Sequence, residues 1–562
     1  MKSIYSKVPK ASRLYCLVAV LFLSHHAHSF ALSSQPTKWP FNPPHDAQVK
    51  VYAVSESGMV NTYKSIDWQA QWWPIAFESV TDKTRPYPFE LLSIPIVIWW
   101  DNNGKRWNAV KDACPHRLAP LSEGRIDPST GCIECPYHGW TFEGKLGKCT
   151  RIPQLEDGEV PPEARTAATV AAYPTTVAQG IIWVWGQSLQ SLCGRTPSVD
   201  LIPLCPPLVD EDLICLDVSR DVPYSYEQAK ENLLDPSHVP FTHHATIGRR
   251  SYASPVPLKL TSEVTLAGFR GTWERNIPAS PMTKKHLGRV ERETLFNAPS
   301  YMHHLISTPE VSTWTVTYAT PSRPGQCRIL ARFPFKFPDP VTDTGSLGGF
   351  NTTPPASPLR GRSWASRLRR AIFLSIPDWM QHLQQNRVLD DDNIFLAVQE
   401  RRLLDPAGSS SASWVKRYYM PTKADLFVAQ FRRWIDTYGK GGPFGALTAD
   451  ALEELDYKTL PDVLLDRYHQ HTRHCASCSR ALACVRRWKP RILGAGLLIG
   501  TLGKRLLDVK LTSNRSEVVV VALIGLLAFS WQQLSRIEGD LTRGPYPPPR
   551  NAVESGRKHG NL

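Results

Sequence analysis

Apolar residues recur along this chain in two rhythms, and the change from one to the other divides it. From Asp67 to about Gln187 the apolar runs are short and broken by turn residues, which predicts β structure. Ile94-Pro-Ile-Val-Ile-Trp-Trp100 reads as one strand, closed by the turn Asp101-Asn-Asn-Gly104, and Gly180 to Trp185 reads as another. Residues 66–190 are therefore expected to form a small β domain. Across residues 205–440 helical and strand patterns mix, which predicts an α+β domain. Within it, Val388 to Glu400 has the apolar spacing of a helix that starts near a run of aspartates, and Thr422 to Tyr438 reads as an amphipathic helix. Residues 339–363, rich in Gly, Thr, Ser and Pro, read as a surface insertion. Near the C-terminus, Ile492 to Gly503 stops at Lys504-Arg505, and Val518 to Leu534 is longer. A full span takes about 20 apolar residues. Residues 490–536 are thus expected to form a short membrane hairpin or to lie in the interface.

The N-terminus has a different pattern. Residues 1–45 contain no Asp or Glu, and Lys2, Lys7, Lys10 and Arg13 precede the apolar run Leu14 to Leu23. That run suits a signal-peptide core and is too short to cross a bilayer. Ala27-His28-Ser29 supplies a cleavage site, and Phe30 and a Ser-containing stretch follow. This resembles the two-part presequences that lead into complex plastids; an ordinary secretory signal is the alternative. The remainder is long enough for two or three domains in a chain of 562 residues. Twelve cysteines scattered over that length argue for metal or redox use rather than a disulfide framework. The net charge of +14 comes with no nucleic-acid-binding motif, so no nucleic-acid partner is expected.

The sharpest chemistry lies in Cys114-Pro-His116 and Cys135-Pro-Tyr-His138, with Arg117 and Gly139-Trp140 beside them. Each half offers one thiolate and one imidazole. A Rieske two-iron, two-sulfur cluster needs two Cys on one iron and two His on the other. Zinc could also use such ligands, and Cys132 competes with Cys135 as a ligand, but the His138 spacing and the following Gly-Trp favour Cys135. The Rieske proteins of electron-transport chains carry a Cys three residues after each ligand His; here those places hold Ala119 and Thr141. The missing disulfide fits the oxygenase class.

An oxygenase needs a second iron. Asn232, Asp235 and His238 recur at intervals of three, as on one face of a helix, before Pro240 distorts the chain and His243 follows. Two His and a carboxylate make the facial triad that leaves positions on Fe(II) open for dioxygen and substrate. His244 is the spare histidine. For the carboxylate, Asp392 is the choice, with Asp391 next; Asp390 and Asp391 also read as residues favoured at a helix N-terminus. The non-enzymatic alternative is a redox sensor associated with a translocon, in which the cluster and a Cys-x-x-Cys report redox state; such a sensor would need no open iron site.

These residues resemble the plastid Rieske oxygenases that act on chlorophyll-type tetrapyrroles, over the stretch from Asp67 (DWQAQWWPIAF) to about Ala483. Asp235 to Arg250 (DPSHVPFTHHATIGRR), Pro421 to Trp434 (PTKADLFVAQFRRW) and Tyr468 to Ala481 (YHQHTRHCASCSRA) resemble the pheophorbide a oxygenase group in particular. The resemblance implies an N-terminal Rieske β domain, a catalytic α+β domain of helix-grip type and a C-terminal membrane anchor. It implies reduced ferredoxin as electron donor, dioxygen and a tetrapyrrole as substrates, and a plastid membrane as location. It further implies head-to-tail homotrimers, in which Asp235 bridges His138 of one subunit and His238 of its own. The expected reaction opens the ring of pheophorbide a, with oxidation of a ring substituent of protochlorophyllide or chlorophyllide as the alternative. Residues 465–485 hold Cys475-Ala-Ser-Cys478, which the resemblance marks as a thiol switch reduced by thioredoxin. Half of a zinc site, or no role, remain open for it. The 339–363 insertion departs from the family pattern, as does the extra residue between His116 and Cys135.

Overall fold

The computed structural model describes residues 65–551 apart from 163–165, 210–212, 275–290, 308–311, 336–370, 372, 405–413, 453–459 and 509–513. The presequence and the 339–363 insertion lie outside the described residues.

The first domain is built from short antiparallel strands in three sheets. β1 (Trp72–Phe77) pairs with β11 (Ile181–Trp185), which pairs with β10 (Thr175–Ala178). A second sheet has the order β2 (Tyr87–Leu91), β3 (Ile94–Asp101), β4 (Arg106–Lys111), β9 (Ala172–Tyr173). The third links β5 (Arg125–Ile126), β6 (Ile133–Glu134), β7 (Thr141–Phe142) and β8 (Cys149–Arg151). The strand expected at Ile94 forms, and it runs into Asp101 at the expected turn. β11 is buried throughout and β3 from Ile96 to Trp99, without alternation, because both faces meet protein there.

The second domain is an antiparallel sheet in the order β12-β18-β17-β16-β15-β14-β13, from β12 (Ile214–Val222) through β13 (Leu258–Leu260), β14 (Gly268–Trp273), β15 (Glu291–Asn297), β16 (Tyr301–Ser307) and β17 (Ser312–Arg323) to β18 (Gln326–Phe335). Around it lie α1 (Tyr226–Leu234), the single turn α2 (Val239–Thr242), α3 (Asp378–Leu404) and α4 (Leu426–Thr437). Strands and helices are segregated, as the α+β reading requires. The Thr422 capping box with Asp425 starts a short turn that leads into α4, so the amphipathic helix begins slightly later than its apolar pattern does.

A ladder of ion pairs joins the domains. Asp217 and Asp221 on β12 lie directly opposite Arg332 and Arg328 on β18. Arg328 pairs with Asp221 at 2.6 Å, and it also donates to the Ile75 carbonyl at 3.0 Å and to the Tyr87 hydroxyl at 2.6 Å, both in the first domain. Arg332 likewise reaches the Gln179 carbonyl at 2.7 Å. Guanidiniums this buried are tolerable only with all their donors engaged.

The chain ends in two long helices, α5 (Ala476–Asp508) and α6 (Asn514–Thr542). The sequence reading separates the Cys-x-x-Cys segment from the anchor. In the structure one helix runs through both, with Pro490 inside it at the cost of one backbone hydrogen bond. The helices are antiparallel: Gly496 faces Leu527, Gly500 faces Ile524, and Gly503 faces Val520 so closely that a Cβ would stand 2.7 Å from Val520 Cγ1. Small residues at this spacing let two helices approach. The stretch Glu517–Thr542 is long and apolar enough to cross a membrane, with mean hydropathy 1.8 over an 18-residue window. Leu497, Leu498, Val519 and Leu526 in the distal half are exposed. At the base, Leu482, Val485, Leu534, Ile537 and Leu541 are buried with Trp183, Tyr301 and Tyr318, so the hairpin is rooted in both domains.

Candidate metal centres

The first centre is made by two copies of one turn. In each, the Cys N–H bonds a carbonyl five residues on (Cys114 to Ala119, Cys135 to Trp140, both 2.8 Å), and the Cys carbonyl accepts from the residue four on (Leu118, Gly139). The fourth residue takes a left-handed conformation in both, at φ 61° for Leu118 and 72° for Gly139. That explains the glycine of the second loop. The turns bury Cys114 and Cys135 and leave His116 and His138 at the tip, ring centroids 4.5 Å apart. Trp140 stacks on His116 at 4.7 Å. Burial pushes the Cys114 thiol up to about 11, so a thiolate here needs a cation beside it. Two buried sulfurs under two converging imidazoles fit the donor set of a Rieske cluster. Cys132 is placed differently, with its sulfur 3.8 Å from the Thr150 hydroxyl on β8. No described cysteine is in a disulfide.

The second centre departs from its expected local conformation. Asn232, Asp235 and His238 do not share one helix face. α1 stops at Leu234, and Asp235 is extended at φ −96°, ψ 101°. Pro236 is the cause, since its ring disfavours helical geometry in the residue before it. α2 then starts afresh, and His238 and His243 cap its two ends. This brings their Nε2 atoms to 3.3 Å of one another. Asp392 Oδ2 lies 3.7 Å from His243 Nε2. His238, His243 and Asp392 offer donor atoms that all lie within 4.8 Å of one another.

Each donor is held from behind. His238 Nδ1 contacts the Asp235 carbonyl at 2.5 Å, and Asp235 Oδ1 accepts from the Ser237 N–H at 2.7 Å. His243 Nδ1 meets Asp391 Oδ2 at 3.3 Å. Asn232 bears on the Asp392 carboxylate through its side chain. Burial raises the Asp392 carboxyl above its ordinary range, against the lowering pull of His243 and His238, and its Oδ1 has no hydrogen-bond partner. A buried carboxylate with an idle oxygen beside two imidazoles fits a divalent cation of the two-His, one-carboxylate kind. His244 lies outside this group: its Nδ1 accepts from the Arg250 N–H at 3.3 Å.

The aspartate run does not start a helix. α3 begins at Asp378, so Asp390, Asp391 and Asp392 sit in its middle and all are buried. Tertiary partners replace the helix dipole. Asp390 pairs with Arg220 at 2.6 Å and with Arg467 through its Nε at 2.8 Å. Asp391 has His243 on one side and, on the other, Arg550, which donates to its carbonyl and stands 3.9 Å from its carboxylate. Arg550 comes from the tail beyond the hairpin, and Arg250 donates to its carbonyl in turn. Arg220, Arg467 and Arg550 have no signal in the sequence, because each acts far from its place in the chain. A cleft of about 680 Å³ runs along the C-terminal part of α3, lined by Ile394, Phe395, Val398, Gln399 and Tyr418 among others. Cys475 and Cys478 are buried thiols beside His382 and His471, away from both centres.

A domain with Rieske turns, followed by a sheet-and-helix domain whose two histidines and buried carboxylate suit a mononuclear iron, defines an iron-dependent Rieske-type oxygenase. The family model of the Rieske 2Fe-2S domain matches residues 71–174, that of the vanillate O-demethylase oxygenase C-terminal domain 222–343, and that of pheophorbide a oxygenase 296–409. The chloroplastic pheophorbide a oxygenase of Oryza sativa subsp. japonica is 32% identical over 76% of this chain and 76% of its own. The chloroplastic flavonoid 8-hydroxylase 2 of Ocimum basilicum is 32% identical over 83% of each. The protochlorophyllide-dependent translocon component 52 of Arabidopsis thaliana is 30% identical over 74% of this chain and 73% of its own. This chain belongs to the pheophorbide a oxygenase family of Rieske oxygenases.

Proposed function

We propose that this enzyme inserts oxygen into a chlorophyll-derived tetrapyrrole, with pheophorbide a as the substrate and opening of its ring as the reaction. The observation that carries the reading is the pheophorbide a oxygenase match over residues 296–409, which takes in α3 and its aspartates. When loaded, the cluster relays single electrons and the mononuclear iron activates dioxygen. Cys114, Cys135, His116 and His138 hold the cluster, and His238, His243 and Asp392 hold the iron. Asp391 and Asp235 orient the two histidines through their outward nitrogens or the adjoining backbone, and Asn232 steadies Asp392. Asp235 also serves as the contact through which the cluster of a neighbouring subunit in a homotrimer meets this iron.

The cleft along α3 is the substrate site in this reading. Phe395 and Gln399 lie three and seven residues past Asp392, hence on its side of the helix. The volume of about 680 Å³ falls within the ~300–1,000 Å³ range of ordinary ligand clefts. Reduced ferredoxin is the donor, and the basic chain, at +14, suits an acidic partner. The hairpin anchors the enzyme to a plastid membrane, where a flat apolar substrate partitions. Trp488 and Trp531, with Lys489 and Arg491 against their rings, form the interfacial girdle at its base.

The flavonoid hydroxylase relative supports a second reading, hydroxylation of a smaller aromatic ring. The test incubates iron-loaded enzyme, reduced ferredoxin and labelled dioxygen with pheophorbide a, protochlorophyllide a or a flavone, and follows product mass. Label in a ring-opened pheophorbide product supports the first reading. Label only in protochlorophyllide or in the flavone moves the assignment to that substrate.

A further inference from the structure

Four side chains outside the iron centres converge on one buried point. They are His382 on α3, His471 in the single π-helical turn Tyr468–Thr472, and Cys475 and Cys478 at the start of α5. All four are buried, with at most 3% of each exposed. His471 Nε2 is 3.2 Å from His382 Nδ1 and 3.3 Å from Cys478 Sγ. His382 Nδ1 is 3.5 Å from Cys475 Sγ and 3.4 Å from Cys478 Sγ. A tetrahedral zinc ion with ordinary Zn–N and Zn–S bonds sets N···N near ~3.3 Å and N···S near ~3.6 Å. The observed edges are those of such a tetrahedron, and its centre is the place for an ion. A Rieske cluster uses the same ligand types but would hold the sulfur pair and the nitrogen pair apart around its core.

The ring protons point the same way. His471 Nδ1 is 2.6 Å from the Ser219 carbonyl, which can only accept, so this nitrogen carries the proton. The His382 ring likewise bonds the backbone of Asp217, two residues earlier on β12. With both rings neutral, the two nitrogens that face each other at 3.2 Å are both lone pairs, and an ion between them makes that contact favourable; without the ion, His382 would have to hold a second proton and donate it across the gap. Ordering of metal-bound imidazoles by backbone carbonyls is a common supporting arrangement.

We propose that His382, His471, Cys475 and Cys478 bind one structural zinc ion. Binding displaces the two thiol protons, so two thiolates and two neutral imidazoles leave the buried site without net charge. All four positions are filled by protein, which makes the site closed and structural rather than catalytic. It pins the root of the hairpin to α3, the helix that also carries Asp391 and Asp392. Ser477, between the two cysteines, reinforces the joint by accepting from the Trp379 N–H at 3.2 Å.

The test is elemental analysis and zinc-edge X-ray absorption on the full-length, detergent-solubilised, iron-loaded protein purified without air. The expected result is one zinc per chain beside the irons, with a shell of two sulfur and two nitrogen scatterers. His382→Ala should lose that zinc while the Rieske absorption spectrum remains, whereas a simple thiol switch would be indifferent to His382. Should that variant fail to fold, the wild-type absorption edge decides alone. Absence of zinc, zinc without sulfur neighbours, or a Cys475–Cys478 disulfide in protein isolated under these conditions overturns the proposal.

Discussion

Asp391 and Asp392 are neighbours on one helix, yet their geometry assigns them opposite outcomes on neutralisation. Asp392 Oδ2 faces His243 Nε2 at 3.7 Å, and its Oδ1 is buried without a partner. Asp391 instead meets the far nitrogen of the same ring at 3.3 Å. Asp392→Asn removes the only anionic donor of the group, so the mononuclear iron should be lost along with all turnover. Asp391→Asn keeps a hydrogen-bonding side chain behind His243 but removes its charge. Loss of such a supporting carboxylate typically weakens metal binding about 10- to 100-fold, or ~1.4–2.7 kcal/mol. That variant should recover turnover at high iron concentration. The assay is iron per chain after dialysis against a graded chelator, with the Rieske spectrum as the internal reference for intact protein. The reverse result, in which Asp391→Asn abolishes iron and Asp392→Asn only weakens it, would refute the assignment. Full iron retention by both would remove either carboxylate from the site.

Three further outcomes follow from the same neighbourhood and from α1. Asp390→Asn leaves the Arg220 and Arg467 side chains, 0% and 1% exposed, without their shared anion. Urea denaturation should show a loss of about 3–5 kcal/mol, and a loss below ~1 kcal/mol would mean that Gln470, Asn386 and Asp540 suffice as partners. Arg550→Ala should weaken iron retention about fivefold, or ~1 kcal/mol, with unchanged retention showing that the tail has no bearing on the site. Glu227, buried against Gly442, has its carboxyl pushed up to about 7, chiefly by burial. The folded chain then holds this proton where the unfolded chain has lost it. The resulting stability is full below the ordinary value of 4.5 and disappears as pH rises through 7. Unfolding free energies of Glu227→Gln and wild type, from urea titrations, should therefore diverge as pH rises from 4.5 through 7, by at most about 3 kcal/mol in favour of the variant. Parallel profiles would refute the shift.

The cluster turns were readable because everything they need is contiguous: ligand, proline, left-handed residue and carbonyl all fall within six positions. The His238 and His243 pair was readable as a spacing but not as a shape, since Pro236 acts on Asp235 in a way that an interval of three conceals. α3 was legible only in its second half. Its first half carries His382 and Asn386 on the buried side, where apolar residues would normally announce a helix, and their partners come from β12 and the Cys-x-x-Cys segment. Buried polar residues satisfied at long range invert the pattern on which such reading depends. For the same reason the Cys-x-x-Cys motif reads in the sequence as a thiol switch or at most half of a metal site: His382 lies 93 residues before Cys475.

The tail after the hairpin has a practical bearing on how such an enzyme can be handled and how it matures. Arg550 follows the hairpin, 159 residues after Asp391, yet it reaches that residue beside the iron site. A nascent chain has all its iron donors long before this guanidinium emerges, so the surroundings of Asp391 are completed only after both hairpin helices have been made. Cutting the chain before Gly496, the obvious route to a protein without the exposed apolar hairpin, would discard this residue along with the exposed leucines. Replacing Leu497, Leu498, Val519 and Leu526 by polar residues, with the tail retained, is the way to solubility that leaves the iron site whole.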